Sequence, residues 1–232
     1  FLIQAVLMGV SVASTAMVAR SWGAQQAKQA EIVTWTSIVI SVALAAVLSI
    51  PILLAPEAIA GIFGLDEETT ALAASFIFWL GLFNVFSAIS MMLSTALRAT
   101  GNVITPLWFL LFSSIFNVTF AYLLAFGIGP LPKLGVTGVS LGGSFGASII
   151  TMIFFFAWWR GHFNLKPTKR KSIDWATSKQ MIKIGLPPVA EQGIVQLAFL
   201  AFFAIVAHYG TAAYASYGIG ITLVAFPIVI GF

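Results

Sequence analysis

The chain has 232 residues, of which 60% are hydrophobic and 8% are charged, and its formal net charge is +4. Soluble domains are roughly 45–50% apolar and about 25% charged, so this composition excludes an ordinary soluble domain and also a disordered chain. The mean hydropathy of +1.03 and the many aromatic and glycine residues indicate a polytopic membrane protein. There is no cysteine, which excludes disulfides and cysteine nucleophiles.

Long uncharged segments follow one another along the chain, and each is long enough to cross a bilayer. A spanning helix needs roughly 20 apolar residues for a hydrocarbon core of about 30 Å. The segments predict seven transmembrane helices, over residues 1–19, 33–55, 72–96, 105–127, 138–159, 185–207 and 212–232. Because the chain begins and ends inside such segments, we expect it to be a fragment of a longer protein.

The basic residues alternate between the two sides of this predicted bundle. The first, third and fifth connections hold ten Lys and Arg residues, whereas the other three hold only Lys133. Positive residues stay in the cytoplasm, so the pattern predicts a multi-pass protein of the plasma (inner) membrane with cytoplasmic basic loops. The basic run at 166–171 adjoins a membrane helix, where an anionic lipid bilayer explains it more simply than nucleic acid does. No nucleic-acid partner is therefore expected.

Three glycines in the span 138–159 share one face of the predicted helix. Gly138, Gly142 and Gly146 repeat every four residues. Small residues at this spacing let another helix approach closely, so we expect this helix to be tightly packed inside the bundle.

Glu191 is the only carboxylate well inside a predicted span. It follows Lys183 by eight residues, which is about 12 Å of helix rise and places it near the bilayer centre. An ionisable side chain at that depth is costly and faces a bundle interior or a water-filled cavity. Pro187 and Pro188 come just before it and predict a helix break, which is typical of binding sites in secondary transporters.

Four amide side chains complete the candidate ion- or substrate-binding set. Gln192 and Gln196 follow Glu191 and are four residues apart, so they share a helix face. Asn84 and Asn117 lie inside other predicted spans and are candidates for lining a cavity. The alternative for Glu191 and for both asparagines is that they only hydrogen-bond neighbouring helices.

No pattern typical of an enzyme is present. His162 and His208 have no partner at metal-ligand spacing, and the residues predict no specific metal site. Serine-protease, zinc-protease and phosphate-loop patterns are absent. We therefore expect no enzyme activity, no catalytic residue and no cofactor.

Three segments resemble the multidrug and toxic compound extrusion (MATE) family of secondary transporters. They are MVARSWGAQQAKQA at 17–30, ALRATGNVITP at 96–106, and IGLPPVAEQ at 184–192 followed by GTAAYASYG at 210–218. The resemblance covers the whole chain in order and implies an all-α transmembrane bundle holding helices two to eight of twelve. It implies three regions: most of the N-terminal lobe (1–160), a cytoplasmic linker between lobes (161–183) and the start of the C-terminal lobe (184–232).

The resemblance also implies a function. Members of the family export small organic cations against an inward flow of Na⁺ or H⁺, and the coupling ion is the only ion or cofactor they need. The sequence predicts no particular oligomeric state. Two other functions stay open: a flippase for lipid-linked saccharides from the same superfamily, and an intramembrane enzyme or scaffold.

The chain departs from the family at its ion sites. Asn117 matches the first residue of an Asn-x-x-x-Asp pattern in the fifth family helix, but Ala121 stands at the Asp position. Other members place a cation-binding glutamate of helix seven further from the proline than Glu191 is. Gly23 and Gly101, in the first two matching segments, suit the positive φ angles of tight turns.

Overall fold

The computed structural model describes residues 2–61, 67–129, 131–168 and 174–207, together with Ser216, Tyr217 and Gly220. These residues contain seven helices in chain order: α1 (Leu2–Gly23), α2 (Ala27–Leu54), α3 (Pro56–Gly61), α4 (Glu67–Ala99), α5 (Ile104–Phe126), α6 (Gly135–Trp159) and α7 (Trp175–Ala207). No β-strand occurs in the described ranges, and the predicted all-α fold class is confirmed. The short helix α3 is the one element that the sequence did not predict.

Five of the described helices are long and apolar enough to cross a membrane: α1 from Ile3 onward, α2, α4, α5 and α6. They coincide with the five predicted spans that end before residue 160. The predicted span 185–207 lies inside α7, which is not among these five helices, so it stays a prediction. The predicted span 212–232 lies outside the described residues except at Ser216, Tyr217 and Gly220.

The three glycines of α6 form its contact surface with α5. Gly138, Gly142 and Gly146 are buried. A Cβ atom added at any of the three would overlap a backbone carbonyl of α5, so the two backbones touch directly. The predicted glycine ridge and its tight packing are confirmed. Just beyond it, Phe109 of α5 stacks on Phe154 of α6 with ring centroids 4.1 Å apart.

Helices α1, α2, α4 and α7 enclose buried hydroxyl groups. The Ser37 hydroxyl of α2 lies 3.0 Å from that of Ser14 in α1 and 3.8 Å from the Met181 sulfur of α7. The hydroxyls of Ser11 in α1 and Thr95 in α4 are 2.9 Å apart. Polar contacts between membrane helices stabilise their packing by about 0.6 kcal/mol each on average. The first half of α7 therefore packs into the same bundle as α1 and α2.

The start of α7 differs from the predicted boundary at residue 184. The helix begins at Trp175, so the last nine residues of the predicted linker 161–183 are helical. The Asp174 carboxylate accepts a hydrogen bond from the Thr177 backbone N–H at 3.1 Å, as expected for an aspartate at a helix N-terminus. The charged first turns of α7 lie before its apolar run, which is why a search for apolar spans misses them.

The predicted helix break at Pro187 and Pro188 is wrong. α7 runs continuously through both prolines. Each proline removes one backbone hydrogen bond, to a carbonyl one turn earlier. Packing compensates, because Gly185 and Val189 on either side of the pair both lie against Gly9 of α1.

The turn between α1 and α2 uses a residue other than the expected glycine. Gly101 adopts a positive φ of 86°, as predicted, but the positive φ after α1 belongs to Gln25, at 57°. The Gln26 N–H donates to the Ser21 carbonyl at 2.9 Å, and the Gln25 N–H donates to the Trp22 carbonyl at 3.0 Å. These are the two hydrogen bonds of a Schellman motif, in which the residue after the helix cap adopts a left-handed conformation. Here that residue is Gln25. Gly23 is instead the last residue of the helix.

Candidate functional site

Glu191 occupies the middle of α7, sixteen residues from each end of the helix. Its side chain is exposed on the surface of the described bundle. Within the described ranges, no hydrogen bond or ion pair involves its carboxylate. The alternative role of bridging to a neighbouring helix therefore has no support from the contacts in this part of the chain.

Gln192 and Gln196 lie on the face of α7 that packs on α1. Helical spacing places both on one stripe with Gly185 and Val189, and both are half-buried. At the centre of this interface, a Cβ atom added to Gly185 would be 2.9 Å from the Gly9 carbonyl oxygen. The two amides thus follow this close contact along the same stripe of α7, and Glu191 directly precedes Gln192 in the helix.

The two asparagines bridge helices elsewhere in the bundle. The Asn117 amide of α5 donates to the Gly143 carbonyl of α6 at 2.8 Å. The Asn84 amide of α4 donates to the Ser49 hydroxyl of α2 at a long 3.5 Å. Each amide thus makes the interhelical hydrogen bond that is the ordinary role of such residues. A role in contacting substrate stays a prediction for both.

The structure therefore does not gather the predicted residues into one cluster. One group lies on α7, near α1, and consists of Glu191, Gln192 and Gln196. The other two residues lie elsewhere: Asn84 is at the α2–α4 interface and Asn117 is at the α5–α6 interface. In the part of the chain that the structure describes, no hydrogen bond joins the two groups. The sequence indicated polar residues inside spans, but it carried no information about which helices would be neighbours.

A cleft with a mixed polar and apolar lining, which the sequence did not predict, opens between α1, α4, α5 and α6. Its volume is about 390 Å³. Its polar lining consists of Gln4, Ser87, Ser90, Ser94, Ser113, Thr151 and Arg98. The signal was present in α4, because residues 87, 90 and 94 are spaced by three and four and so share a helix face. Because single serines inside apolar spans are common, this spacing alone did not predict a cleft.

The cleft and the described bundle contain no metal-binding cluster. In the described ranges, no group of three or more His, Asp or Glu side chains is placed to hold a metal ion. His162 contacts its own helix end, with Nδ1 3.2 Å from the Ala157 carbonyl oxygen, and His208 lies outside the described residues. Glu191 on α7 and Arg98 in the cleft stay the charged candidates for ion or substrate binding.

Comparison with known proteins gives one family. The MatE family profile matches residues 1–123. The chain is 25% identical over 231 residues to the "Probable multidrug resistance protein NorM" of Thermotoga maritima, covering 96% of this chain and 48% of that protein. It is 27% identical over 231 residues to the "Multidrug export protein MepA" of Staphylococcus aureus, covering 96% of this chain and 50% of that protein.

A solved structure shows the same fold. It is titled "Outward-facing conformation of a multidrug resistance MATE family transporter of the MOP superfamily", with a TM-score of 0.84 and 18% identity over 98% of this chain and 50% of that one. The chain thus spans about half the length of the curated relatives it matches. Because the family profile covers more than half of its residues, the chain belongs to the MatE, or MATE, family, as its motifs predicted.

Proposed function

We propose that the full-length protein is a secondary active transporter of the inner membrane that exports organic cations in exchange for Na⁺ or H⁺. The family membership supports this class, and the relatives of the chain are named as multidrug resistance or multidrug export proteins, an activity that we extend to this protein. The family profile and the apolar helices also support a multi-pass protein rather than an enzyme.

Glu191 is the observation that carries the proposal. A carboxylate halfway along a membrane helix stays charged only if water, a cation or a hydrogen-bond donor faces it. The side chain is exposed beside the half-buried amides of Gln192 and Gln196. A coupling ion and an organic cation would both neutralise the same carboxylate, and competition for one charge is the simplest source of antiport.

The proposal is tested with the full-length protein in proteoliposomes loaded with a fluorescent organic cation such as ethidium. A Na⁺ gradient and a pH gradient are imposed separately. We expect one of the two gradients to drive transport at several times the rate of vesicles without protein. Equal rates with and without either gradient would overturn coupled antiport.

Arg98 favours a second candidate, the flippase for lipid-linked saccharides. Among the described residues that line the cleft, Arg98 is the only charged one, beside five hydroxyl side chains, one amide and six apolar side chains. A guanidinium suits a phosphate-linked sugar better than it suits a cation. The same proteoliposomes discriminate the two functions. Translocation of a fluorescent lipid-linked saccharide without any ion gradient, and without ethidium transport, would favour the flippase.

The predicted orientation can be tested with cysteine labelling, because these 232 residues have no native cysteine that would be labelled instead. Glu67 starts α4 and is predicted to lie outside the cell, whereas Lys166 follows α6 and is predicted to be cytoplasmic. A membrane-impermeant maleimide added to intact cells should label Glu67→Cys and should label Lys166→Cys only after permeabilisation. Labelling of both variants in intact cells would contradict the predicted spans.

A further inference from the structure

A second cavity lies at the end of the bundle that the charge pattern predicts to be cytoplasmic. It is enclosed by the end of α1, the start of α2 and the first turns of α7, and its volume is about 420 Å³. The polar residues that line it are Arg20, Ser21, Gln26, Gln29 and Gln180. None of them belongs to the candidate transport site.

The cavity changes from apolar to polar along its depth. Met17 and Val33 line its inner part and are buried, with 7% and 1% of their surfaces exposed. Arg20 and Gln180 line it as well, and both are exposed. A ligand with an apolar portion and a charged head would match this gradient.

The charge at this end of the bundle is positive. Among the described residues that line the cavity, Arg20 is the only charged one and none is acidic. Lys179 and Lys183 stand on the same end of α7. Two acidic residues of the same segments do not line the cavity: Asp174 accepts hydrogen bonds from Thr177, and Glu31 lies on α2 outside the lining.

The lining also offers hydrogen-bond donors. In the described ranges, no hydrogen bond or ion pair engages the side chains of Arg20, Gln26 or Gln180. The Gln29 amide makes one long contact, at 3.5 Å to the Thr177 hydroxyl. A planar guanidinium with amides beside it is suited to phosphate, because phosphate oxygens accept several N–H bonds at once.

We propose that this cavity binds a phosphate group, with Arg20 as its principal contact. This phosphate group is either part of the headgroup of an anionic lipid or a free phosphate ion. In the first case the glycerol region of the lipid would lie against Met17 and Val33. The position beside an apolar floor at a predicted membrane interface favours the lipid. The proposal does not depend on the transported substrate.

The test measures binding to the purified full-length protein by isothermal titration. The ligands are dihexanoyl phosphatidylglycerol, dihexanoyl glycerol without the phosphate, and inorganic phosphate. Wild type should bind phosphatidylglycerol and not dihexanoyl glycerol. Arg20→Gln should weaken phosphatidylglycerol binding about tenfold or more, as expected when a charged donor to phosphate is lost.

Lys183→Gln is the matched control, because it removes one exposed charge from the same end of the bundle without lining the cavity. It should leave the affinity almost unchanged. Gln180→Glu, which places a negative charge in the lining, should abolish binding and serves as a second variant if Arg20→Gln is unstable. Binding of inorganic phosphate but not of the lipid would identify free phosphate as the source of the group.

Two results would overturn the proposal. One is the absence of binding by both phosphate-bearing ligands. The other is an equal loss of affinity in Arg20→Gln and Lys183→Gln, which would mean that surface charge alone attracts the ligand.

Discussion

Glu191→Gln in the full-length protein should abolish gradient-driven efflux of organic cations while the protein remains folded and at normal abundance. The substitution keeps the shape of the side chain and removes its charge, and a neutral amide is less costly inside a membrane than a carboxylate. Loss of a charge-assisted contact of about 1.5–3 kcal/mol corresponds to roughly a tenfold to hundredfold loss of affinity for the cation. The measurement is the initial rate of ethidium efflux from proteoliposomes.

Glu67→Gln is the matched control for this experiment. Glu67 is also an exposed helical carboxylate, but it lies in the first turn of α4 rather than in the middle of a predicted span. Its replacement should leave efflux unchanged, and Glu191→Asp should keep part of the activity because the charge is retained on a shorter side chain. Wild-type efflux by Glu191→Gln would place the coupling site elsewhere in the full-length protein.

Gly142→Ala should destabilise the bundle at the α5–α6 contact. The new Cβ atom would overlap the Phe120 carbonyl oxygen, and that backbone atom cannot rotate away as a side chain could. Forcing an extra methyl group into a filled interface costs about 1–3 kcal/mol. The midpoint of thermal unfolding in detergent, followed by tryptophan fluorescence, should fall by several degrees.

Gly193→Ala provides the comparison, since a Cβ atom there meets nothing within 4 Å and the residue is also helical. This variant should unfold at the wild-type temperature or slightly above it, because alanine favours the helix by roughly 0.5–1 kcal/mol over glycine. If both variants unfolded at the same temperature, the close α5–α6 contact would not contribute to stability as described.

Features that depend on spacing along one helix were predictable from the sequence. The glycine ridge of α6 was found because its period alone determines which face is smooth. The apolar lengths likewise located α1, α2, α4, α5 and α6. Both signals are local, so no knowledge of neighbouring helices was required.

Features that depend on a partner helix were not predictable in the same way. The Asn117 amide could not be assigned to Gly143 from the sequence, because many backbone carbonyls compete for one donor. The continuity of α7 at Pro187 was missed for a related reason: the lost backbone bonds are local, whereas the packing that compensates for them comes from α1. The serine-lined cleft exists only once four helices are assembled.

The contact between Gly9 and Gly185 has a consequence for any transport cycle. Backbone lies against backbone there, and the Val189 methyl group fills the notch that Gly9 leaves. Pulling α7 away from α1 would open that notch and would also expose the buried hydroxyls of Ser14 and Ser37, which makes it a costly step. If the full-length protein transports by alternating access, as proposed, the cycle costs less when α1 and the first half of α7 move together and bending falls in the second half of α7, beyond the proline pair.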